Sequence, residues 1–172
     1  MGKVLVAYST KHHSTAEIAE VIAVELRAHG IDAECVDVSD ATADGYDAVV
    51  LGSAVYAGRW RREAVSFLKH QRTELARKPL WIFSSGPVGD KVDEDFTENS
   101  RWLEPRKVLD LAESIGLRGH TVFGGRIPTD PHGFVEKSMA KNTPEELRDA
   151  RNWDVIRQWA DGVAAELTSA RT

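Results

Sequence analysis

Five apolar runs recur along the chain, most of them followed by a polar turn and an amphipathic stretch, and this alternation leaves few folds open. The runs are "KVLVAYS" (3–9), "DAECVDV" (32–38), "DAVVLGSA" (47–54), "PLWIFSS" (79–85) and "GHTVFGGRI" (119–127). Three are almost continuously apolar, the pattern of parallel strands covered on both faces. Apolar spacing predicts a helix over 14–29, with Ile18, Ile22 and Leu26 in one stripe and Gly30 as its stop. A second is predicted over 61–76, striped by Ala64, Phe67, Leu68, Gln71 and Leu75. A third covers 103–116, through Val108, Leu111, Ala112 and Ile115. The last covers 152–168, with Asn152 as N-cap. Only 38–47 lacks a helical pattern and reads as a loop. Right-handed crossovers then predict an α/β fold: a doubly wound, five-stranded parallel sheet in the order 2-1-3-4-5, with helices on both faces.

The 172 residues favour a single domain with a substantial core. A formal net charge of −5 argues against non-specific nucleic-acid binding, which needs clustered Lys and Arg, and "GRWRRE" (58–63) is too short to change that. The lone cysteine, Cys35, forms no disulfide within the chain and reads as a small core residue. No run approaches the roughly 18 apolar residues of a membrane span, and no signal peptide is recognisable. The expectation is a cytoplasmic protein. One stretch departs from the regular pattern: residues 128–151 are polar and too long for an ordinary connection, which points to a functional loop or an added short helix.

In such a sheet, ligands sit outside the carboxyl ends of the strands. After the first run comes "YSTKHHSTAEIAE" (8–20), with Ser9, Thr10, Ser14 and Thr15 as hydroxyl donors and Lys11 as a charge at a helix N-terminus. That combination suits a phosphate. It equally suits a helix capped by Ser14 or Thr15, with Glu17 closing a capping box. The stretch is neither a P-loop nor GxGxxG, which argues against nucleoside triphosphates and Rossmann-type dinucleotides. After the third run, "GSAVYAGRW" (52–60) offers small residues for close approach and Tyr56 for stacking; the alternative is that Tyr56 and Trp60 only cover the sheet edge. After the fourth, "SSGPVGD" (84–90) makes a rigid turn of exposed backbone. Together they describe a pocket for a planar cofactor with a phosphorylated tail. His12 and His13 have no partner at metal-ligand spacing, so no metal site is expected. The remaining histidines, His29, His70, His120 and His132, read as solvent-facing, and Asp90, Asp93, Glu94 and Asp95 as an acidic loop.

These residues resemble the flavodoxin superfamily, over most of the chain. The resemblance implies a flavodoxin-like fold and FMN as cofactor. Ser9, Thr10, Lys11, His12, His13, Ser14 and Thr15 would hold the phosphate. Ser53, Ala54, Val55, Tyr56, Ala57 and Gly58 would line the flavin ring, and Ser84, Ser85, Gly86, Pro87, Val88 and Gly89 its pyrimidine side. "VVLGSAVYAGRWRREAVSFLKHQ" and "NWDVIRQWADGVAAEL" resemble the menaquinone-dependent protoporphyrinogen oxidase branch. Two departures stand out. His13 occupies a position where the family usually has glycine, a costlier occupant if the backbone there needs positive φ. The 128–151 segment is also polar. The implied function is an FMN-binding oxidoreductase or electron-transfer protein, working with a redox partner protein or a small-molecule donor or acceptor. Its alternatives are a protoporphyrinogen or quinone oxidoreductase, a site for a related flavin, and a binding module that has lost flavin. No catalytic side chain is assigned.

Overall fold

The computed structural model describes residues 2–86 and 106–170. Its elements are β1 (Lys3–Ser9), α1 (Ser14–Ala28), β2 (Asp32–Asp37), β3 (Ala48–Tyr56), β4 (Arg59–Trp60), α2 (Arg62–His70), α3 (Arg72–Leu75), β5 (Leu80–Ser85), α4 (Arg106–Ile115), β6 (Leu117–Phe123), α5 (Phe134–Asn142) and α6 (Trp153–Ser169). Five strands run parallel in the order β2-β1-β3-β5-β6. Counted along the chain this is the expected 2-1-3-4-5. The two-residue β4 was not expected; it folds back antiparallel on the end of β3, pairing Val55 with Trp60 and Tyr56 with Arg59. Its turn, Ala57 and Gly58, has positive φ at both residues (49° and 71°), as a tight two-residue hairpin demands.

The central strands are buried on both faces, and the helices divide into two layers over them. On one face α1 and α6 lay Ile18, Ile22, Leu26, Ile156, Ala160 and Val163 against Val4, Val6, Val50 and Phe83. On the other, α2 to α4 cover Leu5, Val49, Leu51 and Ile82 with Ala64, Phe67, Leu68, Leu75, Val108 and Ile115. Phe83, Phe123 and Trp159 form an aromatic cluster with centroids 5.7–6.3 Å apart beneath α6. Gly52 is required beside it, because a Cβ there would fall 1.9 Å from Phe83 Cζ.

Three details differ from the sequence expectation. The helix expected over 61–76 breaks at Gln71, whose side-chain oxygen turns to accept from Ala43 N–H (3.1 Å) and so pins the 38–47 loop. The last strand ends at Phe123 instead of residue 127, because Gly124 leaves the sheet. Its backbone lies so close to Ala150 that a Cβ would come within 1.9 Å of the Ala150 carbonyl oxygen. Cys35 is half-buried in β2, and burial pushes its thiol up to about 12, which fits an unreactive side chain. Asn152 does cap α6, accepting from Val155 N–H at 3.2 Å. His29, His70, His120 and His132 are exposed, as expected. No helix among the described residues is long and apolar enough to cross a membrane.

Candidate functional site

The carboxyl ends of β1, β3, β5 and β6 open onto one cavity, at the edge of the sheet where ligands of such folds bind. Thr10, Lys11, His12, Ser14 and Thr15 line one end. Ala54, Val55, Tyr56 and Ala57 form a second wall, and Ser85 with Gly86 a third. Eleven of the residues expected from sequence thus converge on one space. Gly86 packs backbone to backbone on Gly125, where a Cβ would fall 3.0 Å from the Gly86 Cα. The ends of β5 and β6 meet so closely because neither position carries a side chain.

Five expected residues lie outside the lining. Ser9, Ser53 and Ser84 are buried and their hydroxyls are committed to the β4 hairpin. Ser9 Oγ accepts from Arg61 Nε (3.0 Å), Ser53 Oγ accepts from Arg61 N–H (3.0 Å), and Ser84 Oγ accepts from Trp60 Nε1 (2.8 Å). They brace the loops from behind. The same bonds separate the two aromatics of "VYAGRW": Trp60 is a core residue, whereas Tyr56 stands 36% exposed on the cavity wall. Gly58 serves the hairpin turn, and His13 is the exposed N-cap of α1. Pro87, Val88 and Gly89, like Asp90, Asp93, Glu94 and Asp95, fall outside the described residues.

His13 has φ 63° and ψ −7°, the left-handed conformation. The position therefore does require positive φ, and histidine accepts it there. Its imidazole does not narrow the cavity, because it is not among the lining groups. The capping reading of this turn is not what the structure holds. Among the described residues no side chain caps α1, and Glu17 reaches away to Arg151 and Arg126. Ser14 Oγ is buried with no hydrogen-bond partner among the described residues. A helix start with no side-chain cap and an orphaned buried hydroxyl suits an anion.

A fourth wall was not foreseen residue by residue. Gly125, Arg126, Ile127 and Pro128 follow β6, and Val135, Glu136 and Met139 come from α5, inside the irregular 128–151 segment. Glu136 is the most consequential of these. Its side chain is 2% exposed, and one oxygen, Oε1, takes Lys11 Nζ at 2.5 Å, His12 Nε2 at 2.7 Å and the Tyr56 hydroxyl at 3.1 Å. Oε2 accepts from His132 N–H at 2.8 Å. Burial alone pushes this carboxyl upward, but the bonds from Lys11, His12, His132 N–H and Tyr56 outweigh it and hold the group down at about 2. Burial and the Glu136 carboxylate both push the Tyr56 hydroxyl up. The Lys11 ammonium also sits 4.6 Å from the Tyr56 ring centroid. The signal in the sequence was only the anomalous length of 128–151. One acidic residue in a polar helix cannot be told from its neighbours without the fold.

A cavity at the ends of β1 and β3, with an anion-seeking helix start at one end and an aromatic on its wall, defines an α/β cofactor-binding protein of the flavodoxin type. The chain belongs to the flavodoxin domain family, whose sequence profile matches residues 5–151. Membership implies FMN as the cofactor, and the residues present fit it: the orphaned Ser14 hydroxyl and the uncapped α1 suit its phosphate, and the cavity its ring. Among curated proteins the chain is similar to protoporphyrinogen IX dehydrogenase [quinone] of Escherichia coli strain K12, 29% identical over 117 residues. That match covers 60% of this chain and 65% of the relative, so just under two thirds of the relative's length is spanned. Among solved structures, a flavodoxin from the domain Archaea superposes with a TM-score of 0.61 at 14% identity, over 96% of this chain and 99% of that one. The two-electron reduced flavodoxin of Megasphaera elsdenii gives 0.59 at 16%, over 94% and 98%. The rubredoxin oxygen:oxidoreductase of Desulfovibrio gigas gives 0.63 at 15%, over 97% of this chain but 36% of that one. At these identities the superpositions establish the fold.

Proposed function

We propose that this chain is an FMN-dependent oxidoreductase or electron carrier, with the cofactor in the cavity between α1, Tyr56 and α5. The observation that carries the reading is the start of α1: backbone N–H groups with no side-chain cap and a buried Ser14 hydroxyl with no partner, both among the described residues, on the lining of the cavity. FMN, once bound, supplies one- and two-electron chemistry that no side chain here provides. Thr10, Ser14 and Thr15 with the α1 N-terminus hold the phosphate. The small residues Ala54 and Ala57 and the Gly86–Gly125 contact let a flat ring lie against backbone, with Tyr56 as its aromatic neighbour. Ile127, Pro128, Val135 and Met139 make the opposite wall largely apolar.

The test is the visible spectrum of the purified protein and the identity of what it releases. Flavin absorbance with about one FMN per chain supports the reading. A colourless protein that takes up no added FMN refutes it. Release of a related flavin instead would correct the cofactor alone.

A second, finer reading is favoured by the match to the protoporphyrinogen IX dehydrogenase of E. coli: oxidation of a porphyrinogen, with a quinone as acceptor. The apolar wall from α5 gives a bulky ring something to lie against. Turnover of protoporphyrinogen with menadione decides for it. Turnover with protein partners or NAD(P)H alone decides against it.

A further inference from the structure

Residues 128–147 leave the body of the protein and return to it through a narrow neck. Ile127 N–H donates to the Arg148 carbonyl (2.8 Å), Ala150 N–H donates to the Gly125 carbonyl (2.9 Å), and Arg126 bridges Asp149 antiparallel. Arg148 also braces the far end of α5, donating to the Ala140 carbonyl (2.6 Å) and the Thr143 carbonyl (3.1 Å). The excursion is therefore an internally braced strap, hinged at its neck. What fastens its free end is not hydrophobic. Only Glu136 and Ala140 of α5 are buried, while Phe134 is 88% exposed and Val135 and Met139, on the cavity wall, are half-exposed.

The fastening is Glu136. Its partners come from two different cavity walls: Lys11 and His12 from the β1–α1 turn, Tyr56 from the end of β3. We propose that Glu136 is the latch of a gate: its bonds to Lys11, His12 and Tyr56 hold the 128–147 strap closed over the cavity, and a ligand enters or leaves when that latch releases. The argument is one of relative cost. Opening uncovers only the small Ala140 and the covered halves of Val135 and Met139, so the hydrophobic effect contributes little to holding the strap down. It breaks a compact set of charge-assisted hydrogen bonds, which is specific in the closed state and replaceable by water in the open one. Lys11 and His12 are already partly exposed, so their rehydration needs no further unfolding. Such an element opens locally without opening the sheet beneath it. The cofactor arm of the proposal rests on the FMN reading above; the closure of the strap does not.

Two measurements test it. The first is amide hydrogen exchange over residues 132–142 in the FMN-free protein, comparing the wild type with Glu136→Ala and Glu136→Gln. We expect exchange about tenfold faster in Glu136→Ala, the order set by losing charge-assisted bonds at a partly exposed site. Exchange in β1, β3 and β5 should be unchanged, which separates a latch from general unfolding. Lys11→Met should reproduce the effect from the other side. The second is the rate of FMN release from the loaded protein, followed by flavin fluorescence, with about tenfold acceleration expected in the same variants. Unaltered strap exchange in both Glu136 variants overturns the latch. Faster exchange with an unaltered release rate overturns the gate. A wild-type protein that binds no FMN refutes the cofactor reading, and the exchange experiment still decides whether Glu136 closes the strap.

Discussion

His13 and Ser14 are adjacent, yet they answer to different demands. His13 carries the left-handed backbone that turns β1 into α1, with its ring in solvent and outside the cavity lining. Glycine adopts that conformation without Cβ strain but loses more freedom on folding. His13→Gly should therefore stabilise the protein by about 0.5 kcal/mol net, read as a higher urea midpoint, and leave FMN affinity within about threefold because no lining group is removed. Ser14 behaves oppositely. Its hydroxyl is buried without a partner among the described residues, so Ser14→Ala should stabilise the FMN-free protein by up to about 1 kcal/mol while weakening FMN binding about tenfold. Parallel chemical denaturation and FMN titration check both signs, and a Ser14→Ala protein that loses apo stability would show a partner for that hydroxyl. The hydroxyl-rich turn was legible in the sequence because helix starts attract a narrow set of residues. Which hydroxyls face the cavity was not legible. Ser9, Ser53 and Ser84 are chemically indistinguishable from Ser14 until Arg61 and Trp60 are seen to claim them.

At the level of elements, the sheet and the covering helices could be read from period and apolar continuity, while β4 and α5 could not. A two-residue strand carries no period, and α5 owes its place to one carboxylate rather than to an apolar stripe. That carboxylate also gives α5 a pH signature. The groups facing it are Lys11 and His12 from the β1–α1 turn, Tyr56 from β3, and the His132 N–H of its own segment. They hold Glu136 at about 2, below its ordinary 4.5. A depressed carboxyl stabilises the folded state fully above its unfolded value, and that contribution disappears as pH falls through the folded value. The stability difference between wild type and Glu136→Gln should thus be full above about pH 5 and shrink steadily as pH falls toward 2. Urea unfolding across that range measures it, and a gap that instead widens on acidification would mean Glu136 is protonated in the folded protein. At the other end of the segment, Arg151 is nearly buried between Glu17 and Asp149 and stacked on Trp153. It ties the strap's return to α1, so the hinge stays fixed while the latch releases.

On the scale of the whole molecule, the cavity is built from parts far apart in sequence, and its walls differ in what holds them. Strand ends β1, β3 and β5 are fixed by the sheet, whose core needs no ligand. The α1 start with its orphaned hydroxyl and the polar-latched strap are not fixed in that way. Ligand binding should therefore act on the edge of the protein while raising the stability of all of it, since the native state alone holds the site. With FMN at about 100 times its dissociation constant, the mass-action gain is about 2.7 kcal/mol, and for a domain of this size that raises the melting temperature by about 5–10 °C. The increment should follow the logarithm of free FMN concentration. In Glu136→Ala it should shrink only to the extent that affinity falls, even where release is much faster, because a gate speeds entry and exit together. Differential scanning calorimetry at graded FMN concentrations, on wild type and variant, measures both quantities. A melting temperature indifferent to FMN in the wild type would mean that the native state has no preference for it, and the anion sought at the start of α1 would have to be another.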